Sequence, residues 1–212
     1  MLRLFIAVDL PAELRPAIAR LCRGIGGARW TRPEQLHITL RFLGDTAEDR
    51  LADLRTRLRE VRAPRFELAL RGTGLFPPPS TRKPARVLWL GLEPPEPVRA
   101  LKGAVDGALS WEPWEGSQPL PRWSAAGTAG GLSTRLGSDP ETATRVFSPH
   151  LTLARFPTGP RHDLDRFLAE HAGFEGGRFV VSSFHLYRST LRPQGALHEI
   201  VESYPLAIGG CM

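Results

Sequence analysis

The sequence contains the stretch Leu36-His-Ile-Thr-Leu-Arg-Phe-Leu43, in which apolar and polar side chains alternate. Such alternation is typical of a β-strand with one face against a core, so His37, Thr39 and Arg41 are predicted to share the polar face. A later stretch, Phe147-Ser-Pro-His-Leu-Thr-Leu-Ala-Arg155, repeats the order His, apolar, Thr, apolar, and in both stretches Arg-Phe follows. The repeat predicts two similar strands, one in each half of the chain.

The sequence around these two strands predicts an alternation of strands and helices in both halves. Further strands are predicted at residues 2–9, 65–75, 85–92, 178–188 and 196–208, and helices at 11–24, 47–62, 97–109 and 160–171. The same order of elements in both halves indicates an internal duplication. Two similar lobes would then bring the histidine strands together about a pseudo-twofold axis.

The segment of about residues 110–144 is rich in Gly, Pro, Ser and Trp and shows no periodicity. It is predicted to be a long loop or an insertion. Its tryptophans, Trp111, Trp114 and Trp123, could pack onto the body of the protein or present flat faces to nucleic-acid bases.

Composition and charge are those of a globular protein with a basic surface. The 212 residues are 42% hydrophobic and 24% charged, which fits one domain or two tightly packed lobes. The net charge of +6 favours phosphate-bearing partners, although codon bias toward arginine would give the same excess. Cys22 and Cys211 have no metal-binding or disulfide spacing, and the first apolar run is interrupted at Asp9, too early for a signal peptide or a membrane span. A cytoplasmic location without membrane attachment is expected.

The doubled motif has the groups that phosphodiester hydrolysis requires. Two facing strands would supply two imidazoles, His37 and His150, and two hydroxyls, Thr39 and Thr152. One imidazole can take a proton from water while the other protonates the leaving oxygen, because the imidazole pKa is near 6.5. The hydroxyls can bind the non-bridging phosphate oxygens. A single strand histidine is more often structural, but the repeat favours catalysis, with either histidine able to be the acid.

Three further stretches resemble a known family together with the two histidine strands. They are Phe5-Ile-Ala-Val-Asp-Leu-Pro11, Val87-Leu-Trp-Leu-Gly-Leu92 and Leu186-Tyr-Arg-Ser-Thr-Leu-Arg-Pro193. The set resembles the two-histidine (2H) phosphoesterases, and among them the bacterial and archaeal RNA 2',3'-cyclic phosphodiesterases, first called 2'-5' RNA ligases. The resemblance implies one bilobal α+β domain over residues 1–212. Two pseudo-twofold-related lobes, each with an antiparallel sheet and flanking helices, would surround a central cleft.

The resemblance also implies an activity. It is the hydrolysis of a 2',3'-cyclic phosphate, on an RNA end or a nucleotide, to a 2'-phosphate without metal or cofactor. His37 would be the proton donor and His150 the proton acceptor, while Thr39, Thr152 and Arg155 would bind the substrate phosphate. The partners implied are RNA ends or nucleotides with a 2',3'-cyclic phosphate, and the protein is expected to be a monomer.

Two arginines follow the histidine motifs, and strand alternation treats them differently. Alternation places Arg155 on the face opposite His150, unless a bulge or the end of the strand turns it back. Arg41 falls on the site face by alternation but has less support from the resemblance. Arg155 is therefore the predicted phosphate ligand, with Arg41 in reserve.

Other features of the chain depart from the family pattern or leave alternatives open. The segment 110–144 is longer than the usual connection, and His198 stands where relatives commonly carry tyrosine. The remaining histidines carry less weight as catalytic candidates. His162 and His171 fall on a predicted solvent-exposed helix, His185 and His198 fall in strands without a Thr partner, and none has the spacing of a metal site. The same groups could join RNA ends through a 2'-5' bond, act on a small nucleotide, or belong to an RNA-binding module with little turnover.

Overall fold

The computed structural model describes residues 1–109, 147–159, 163–192 and 195–208; the predicted insertion, with its three tryptophans, lies outside these ranges. The strands of the described part are β1 (Leu2–Asp9), β2 (Arg29–Trp30), β3 (His37–Thr46), β4 (Phe66–Phe76), β5 (Val87–Glu93), β6 (His150–Arg155), β7 (Glu175–Val181), β8 (Ser183–Arg192) and β9 (Gly195–Pro205). Its α-helices are α1 (Arg15–Ala19), α2 (Leu51–Glu60), α3 (Glu96–Ala108) and α4 (Leu164–His171). None of these helices is long and apolar enough to cross a membrane.

The strands form a curled antiparallel sheet in the order β7-β4-β5-β6-β3-β1-β8-β9, with β2 pairing to β6. The two histidine strands, β3 and β6, are neighbours at its centre and are joined by one residue pair, Ile38 with Leu151. This short junction divides the sheet into a first lobe (β3, β1, β8, β9) and a second lobe (β6, β5, β4, β7). The predicted α+β class is confirmed, and the sheets of both lobes are continuous with each other.

Alternating apolar residues build the core on one face of this sheet. Strand residues such as Ile38, Leu90 and Leu151 are fully buried there, against helix residues that include Leu101 of α3 and Leu58 of α2. Burying one such side chain contributes about 1.5–3 kcal/mol. The helices therefore cover this face, and the polar residues of the histidine strands lie on the other.

Two predicted elements differ from the structure, and one short strand was not predicted. The helix predicted over 11–24 is shorter: a 3-10 turn at Ala12–Leu14 leads into α1, which ends at Ala19. The short strand β2 was missed. The strand predicted over 178–188 is two strands, because the chain leaves the second lobe at Ser182, whose carbonyl accepts a hydrogen bond from the amide of Leu206 at 2.8 Å.

Candidate active site

His37 and His150 begin the two central strands of the sheet. The antiparallel pair between Ile38 and Leu151 fixes their relation. Each histidine precedes a member of this pair, and each motif threonine follows one. Extending this register by one residue in each direction places His37 across from Thr152 and Thr39 across from His150. The strand register thus brings the two predicted His-Thr sets together on one face.

The backbone orients both imidazole rings in the same way. Nδ1 of His37 lies 2.7 Å from the carbonyl oxygen of Gln35, and Nδ1 of His150 lies 2.8 Å from that of Ser148. A carbonyl oxygen only accepts, so Nδ1 is the donor in each contact. Nε2 of each neutral ring is therefore the nitrogen left to accept a proton.

Both histidines are neutral at pH 7 in the free protein. Burial lowers the pKa of His37 to about 4, and repulsion from His198 and Arg155 adds to that effect, while the Gln35 hydrogen bond and the Asp9 carboxylate oppose it. Burial also lowers the pKa of His150, again with a contribution from Arg155. An anion bound between the rings would raise both pKa values, because it stabilises the imidazolium form.

Aromatic rings flank each histidine. On the first lobe the Phe5 ring lies 5.0 Å from the His37 ring and stacks on Tyr187 at 4.9 Å. On the second lobe the Phe76 ring meets His150 edge-on at 4.9 Å, and Trp89 lies 6.4 Å away. These rings are the apolar surroundings that desolvate the two imidazoles.

A β-bulge at Leu153 returns Arg155 to the histidine face. Along β6, Thr152 pairs with Trp89 of β5 but Ala154 pairs with the adjacent β5 residue, Leu88, so Leu153 has no register partner on β5. Leu153 and Ala154 are both fully buried, which shows the shift of alternation by one residue.

The resulting position of Arg155 is close to both catalytic candidates. Its charge lowers the pKa of His37 and that of His150. The side chain is exposed to solvent, yet the surrounding protein desolvates it enough to lower its own pKa. The structure therefore brings Arg155 together with the two His-Thr sets.

A matching bulge at Leu40 turns Arg41 away from the site. Thr39 pairs with Ala7, but Arg41 pairs with Ile6, so Leu40 is the extra residue. On the opposite face Nη1 of Arg41 donates to Oδ1 of Asp106 on α3 at 3.1 Å. The expectation from simple alternation that Arg41 lies on the site face is therefore wrong.

Sequence reasoning gave no role to three further residues beside His37. His198 of β9 meets the His37 ring edge-on at 5.3 Å. Asp9 is the register partner of His37 on β1 and accepts a hydrogen bond from the Tyr187 hydroxyl. Asp9 and Tyr187 belong to stretches that carry the family resemblance, and this was the only signal for them. His198 carries no comparable signal in the sequence, because its strand lacks the Thr partner of the two motifs.

The other histidines lie away from the two central strands or outside the described ranges. His185 lies between the hydroxyls of Ser183 and Ser203. His171 packs against Phe167 on α4, and His162 falls outside the described residues. Among the residues that the structure describes, no group of three or more His, Cys, Asp or Glu is arranged to hold a metal ion.

The family model and the similar proteins found for this chain agree with one another. The model of the family described as LigT like Phosphoesterase matches residues 8–89 and 126–198. The chain is 31% identical to a protein of Methanothermobacter thermautotrophicus named RNA 2',3'-cyclic phosphodiesterase, over 96% of this chain and 98% of that one. It is 33% identical to a protein of the same name from Thermus thermophilus, over 97% and 90% respectively.

Solved structures show the same fold. A crystal structure of a protein of Thermus thermophilus superposes with a TM-score of 0.70 and 28% identity, covering 96% of this chain and 97% of that one. The structure of E. coli LigT complexed with 3'-AMP has a TM-score of 0.67 at 24% identity, with 97% and 98% covered, and supports the fold alone.

Proposed function

The chain belongs to the LigT-like phosphoesterase family, and on this premise we propose that it hydrolyses a 2',3'-cyclic phosphate, on an RNA end or a nucleotide, to a 2'-phosphate without a metal ion. The observation that carries the proposal is the matched pair of His-Thr sets on the two central strands. Relatives named RNA 2',3'-cyclic phosphodiesterase, at 27–33% identity, support the substrate class.

The proposed reaction is a displacement at phosphorus with two proton transfers. Nε2 of His150 takes a proton from water as the water oxygen bonds to phosphorus. The bond between phosphorus and the 3'-oxygen breaks, and His37 gives its Nε2 proton to that oxygen. The ribose then carries a free 3'-hydroxyl and a 2'-phosphate. The donor and acceptor labels follow the family resemblance, since the backbone orients both rings alike.

Three side chains would hold the phosphate during this step. The hydroxyls of Thr39 and Thr152 donate to the non-bridging oxygens, and the guanidinium of Arg155 offsets the charge that grows on them. The bound phosphate anion also raises the pKa of His37 from about 4, so that the donor is protonated when the substrate is in place.

The test is a product analysis in the presence of EDTA. The protein is incubated with a nucleoside 2',3'-cyclic monophosphate and with an oligoribonucleotide ending in the same group. The proposal expects the 2'-monophosphate alone from either substrate; a 3'-monophosphate, dependence on a metal ion, or no turnover of either would refute it. The ratio of kcat/KM for the two substrates then separates RNA from a small nucleotide as the preferred substrate.

Variants separate an enzyme from an RNA-binding module. His37→Ala and His150→Ala are each expected to abolish hydrolysis while RNA affinity, measured by fluorescence anisotropy, stays within a few fold. His171→Ala is the matched control, because its ring lies on α4 against Phe167, away from the two central strands. Tight RNA binding without turnover by the native protein would favour the binding module. Joining of cyclic-phosphate and 5'-hydroxyl RNA ends would show the reverse reaction.

A further inference from the structure

His198 lies where it can act on His37. It belongs to β9, the edge strand of the first lobe, and its ring meets two others edge-on: His37 at 5.3 Å with an interplanar angle of 73°, and Phe5 at 4.9 Å with 70°. The centroids of the Phe5 and His37 rings lie 5.0 Å apart. The three rings form a closed cluster, in which the His37 ring has both Phe5 and His198 as neighbours.

Gln35 ties this cluster to the strand that carries His198. Its carbonyl oxygen accepts the Nδ1 hydrogen bond of His37, and its side-chain amide donates to the carbonyl of Ala196, two residues before His198 on β9. One residue therefore fixes both the His37 ring and the β8–β9 hairpin. The position of His198 relative to His37 is set by this bridge and does not depend on ring packing alone.

The two otherwise matched catalytic candidates differ at this place. Beside His150, the ring that meets the imidazole edge-on at 4.9 Å is Phe76, which cannot carry charge. Beside His37, the edge-on ring of His198 can take a proton. Uncharged rings thus lie beside both histidines, and His37 has in addition a second imidazole, that of His198.

Protonating His198 and His37 together is unfavourable. Nδ1 of His198 is buried and has no hydrogen-bond partner among the described residues, so an imidazolium there would bury an unpaired N–H group. Burial and the charge of Arg3 lower the pKa of His198, and repulsion between the two imidazoles further lowers that of His37. Three other groups face His37. Asp9 favours its charged form, Arg155 opposes that form, and the Tyr187 hydroxyl is neutral. These groups remain in place when residue 198 is substituted.

We propose that His198 is a positioning residue for His37: its ring holds the plane of the His37 imidazole and, when it carries a proton, opposes protonation of that imidazole. The proposal rests on the proposed function in taking His37 as the proton donor. It gives the otherwise symmetric pair a physical difference, because His37 has a second imidazole beside it, whereas the rings described beside His150 are those of Phe76 and Trp89.

The first test needs no turnover. NMR titration of the His37 ring is compared in the native protein, in His198→Phe, which keeps an aromatic ring edge-on as at His150, and in His198→Gln. Both variants are expected to raise the His37 midpoint by at least about half a unit, because the repulsion is gone. His171→Gln, which removes a ring that packs edge-on against Phe167, is expected to leave it unchanged. An unchanged midpoint in both position-198 variants overturns the proposal, whether or not the protein hydrolyses any substrate.

The second test is the pH profile of kcat/KM. In His198→Phe the profile is expected to move toward higher pH, since one of the two groups that define it has gained proton affinity. A uniform loss of rate at every pH, with the profile in place, would show packing alone and also overturn the proposal. Absence of turnover in the native protein would instead contradict the proposed function, and the NMR result would still decide the coupling.

Discussion

Thr39 and Thr152 occupy matching places on the two central strands, so their removal is expected to have matching effects. Thr39→Val and Thr152→Val keep the shape of the side chain and delete one donor to the phosphate. Each is expected to lower kcat/KM by about 10- to 1,000-fold, the range for losing one donor to a developing negative charge. Steady-state kinetics with a nucleoside 2',3'-cyclic phosphate measures this, and thermal unfolding checks the fold. Full activity in either variant contradicts a phosphate-binding role for that threonine.

Arg155 and Arg41 offer a matched comparison, because their side chains leave neighbouring strands on opposite faces. Arg155→Gln is expected to lower kcat/KM by about 100-fold or more, since it would remove the charge-assisted contact to the phosphate that we propose for Arg155. Arg41→Gln is expected to change kcat/KM by less than about threefold, because it breaks only a partly exposed ion pair with Asp106. The same kinetic assay on both variants tests the assignment of Arg155. A larger loss of kcat/KM in Arg41→Gln than in Arg155→Gln would contradict it.

The two β-bulges show what residue periodicity can and cannot predict. Alternation correctly placed the polar residues of both strands, up to Thr39 and Thr152, on one face. Beyond each threonine one extra residue, Leu40 or Leu153, changes the phase of alternation. Both are leucines in an apolar run, so their side chains look like ordinary core residues. The partner strand reveals the bulge, and a single sequence does not contain that information.

The contact between β4 and β5 near His150 depends on a glycine. A Cβ atom at Gly74 would lie 2.2 Å from the Trp89 ring, far below van der Waals contact. Gly74→Ala is therefore expected to displace Trp89, which flanks His150, with a loss of about 1–3 kcal/mol in the free energy of unfolding and lower kcat/KM. Urea unfolding and kinetics measure both effects.

Gly103 of α3 is the matched control, because a Cβ there meets nothing within 4 Å. Gly103→Ala is expected to stabilise by about 0.5–1 kcal/mol, since alanine loses less backbone entropy in a helix. If Gly74→Ala does not lower the free energy of unfolding or kcat/KM, the close approach of Trp89 to β4 does not position His150.

The sequence predicted two similar lobes, but it did not predict which strands pair in each lobe. The repeated order of elements led to two similar lobes, which the sheet order supports. The chain, however, exchanges strands between them: β4 and β5 from the first half pair in the second lobe, and β8 and β9 from the second half pair in the first. Local periodicity fixes which segments are strands and not which partners they choose, because pairing depends on contacts between distant parts of the chain.

The burial of several histidines in one molecule predicts how stability depends on pH. Burial lowers the pKa of His37, His150, His185 and His198 in the folded protein, that of His37 to about 4. An unfolded chain protonates the same groups near pH 6.5. Between these values the unfolded state binds more protons than the folded state. The free energy of unfolding is therefore highest above about pH 6.5 and falls as the pH drops toward 4.

The size of this fall can be measured by urea unfolding at pH 7 and pH 4.5. His37 alone is expected to contribute a loss on the order of 2–3 kcal/mol over this interval, because each unit of pKa difference corresponds to about 1.4 kcal/mol. His37→Gln removes that group and is expected to lose less stability than the native protein, whereas His171→Gln, on α4, is expected to lose as much. Equal losses in the native protein and in His37→Gln would mean that His37 is not held neutral by the fold.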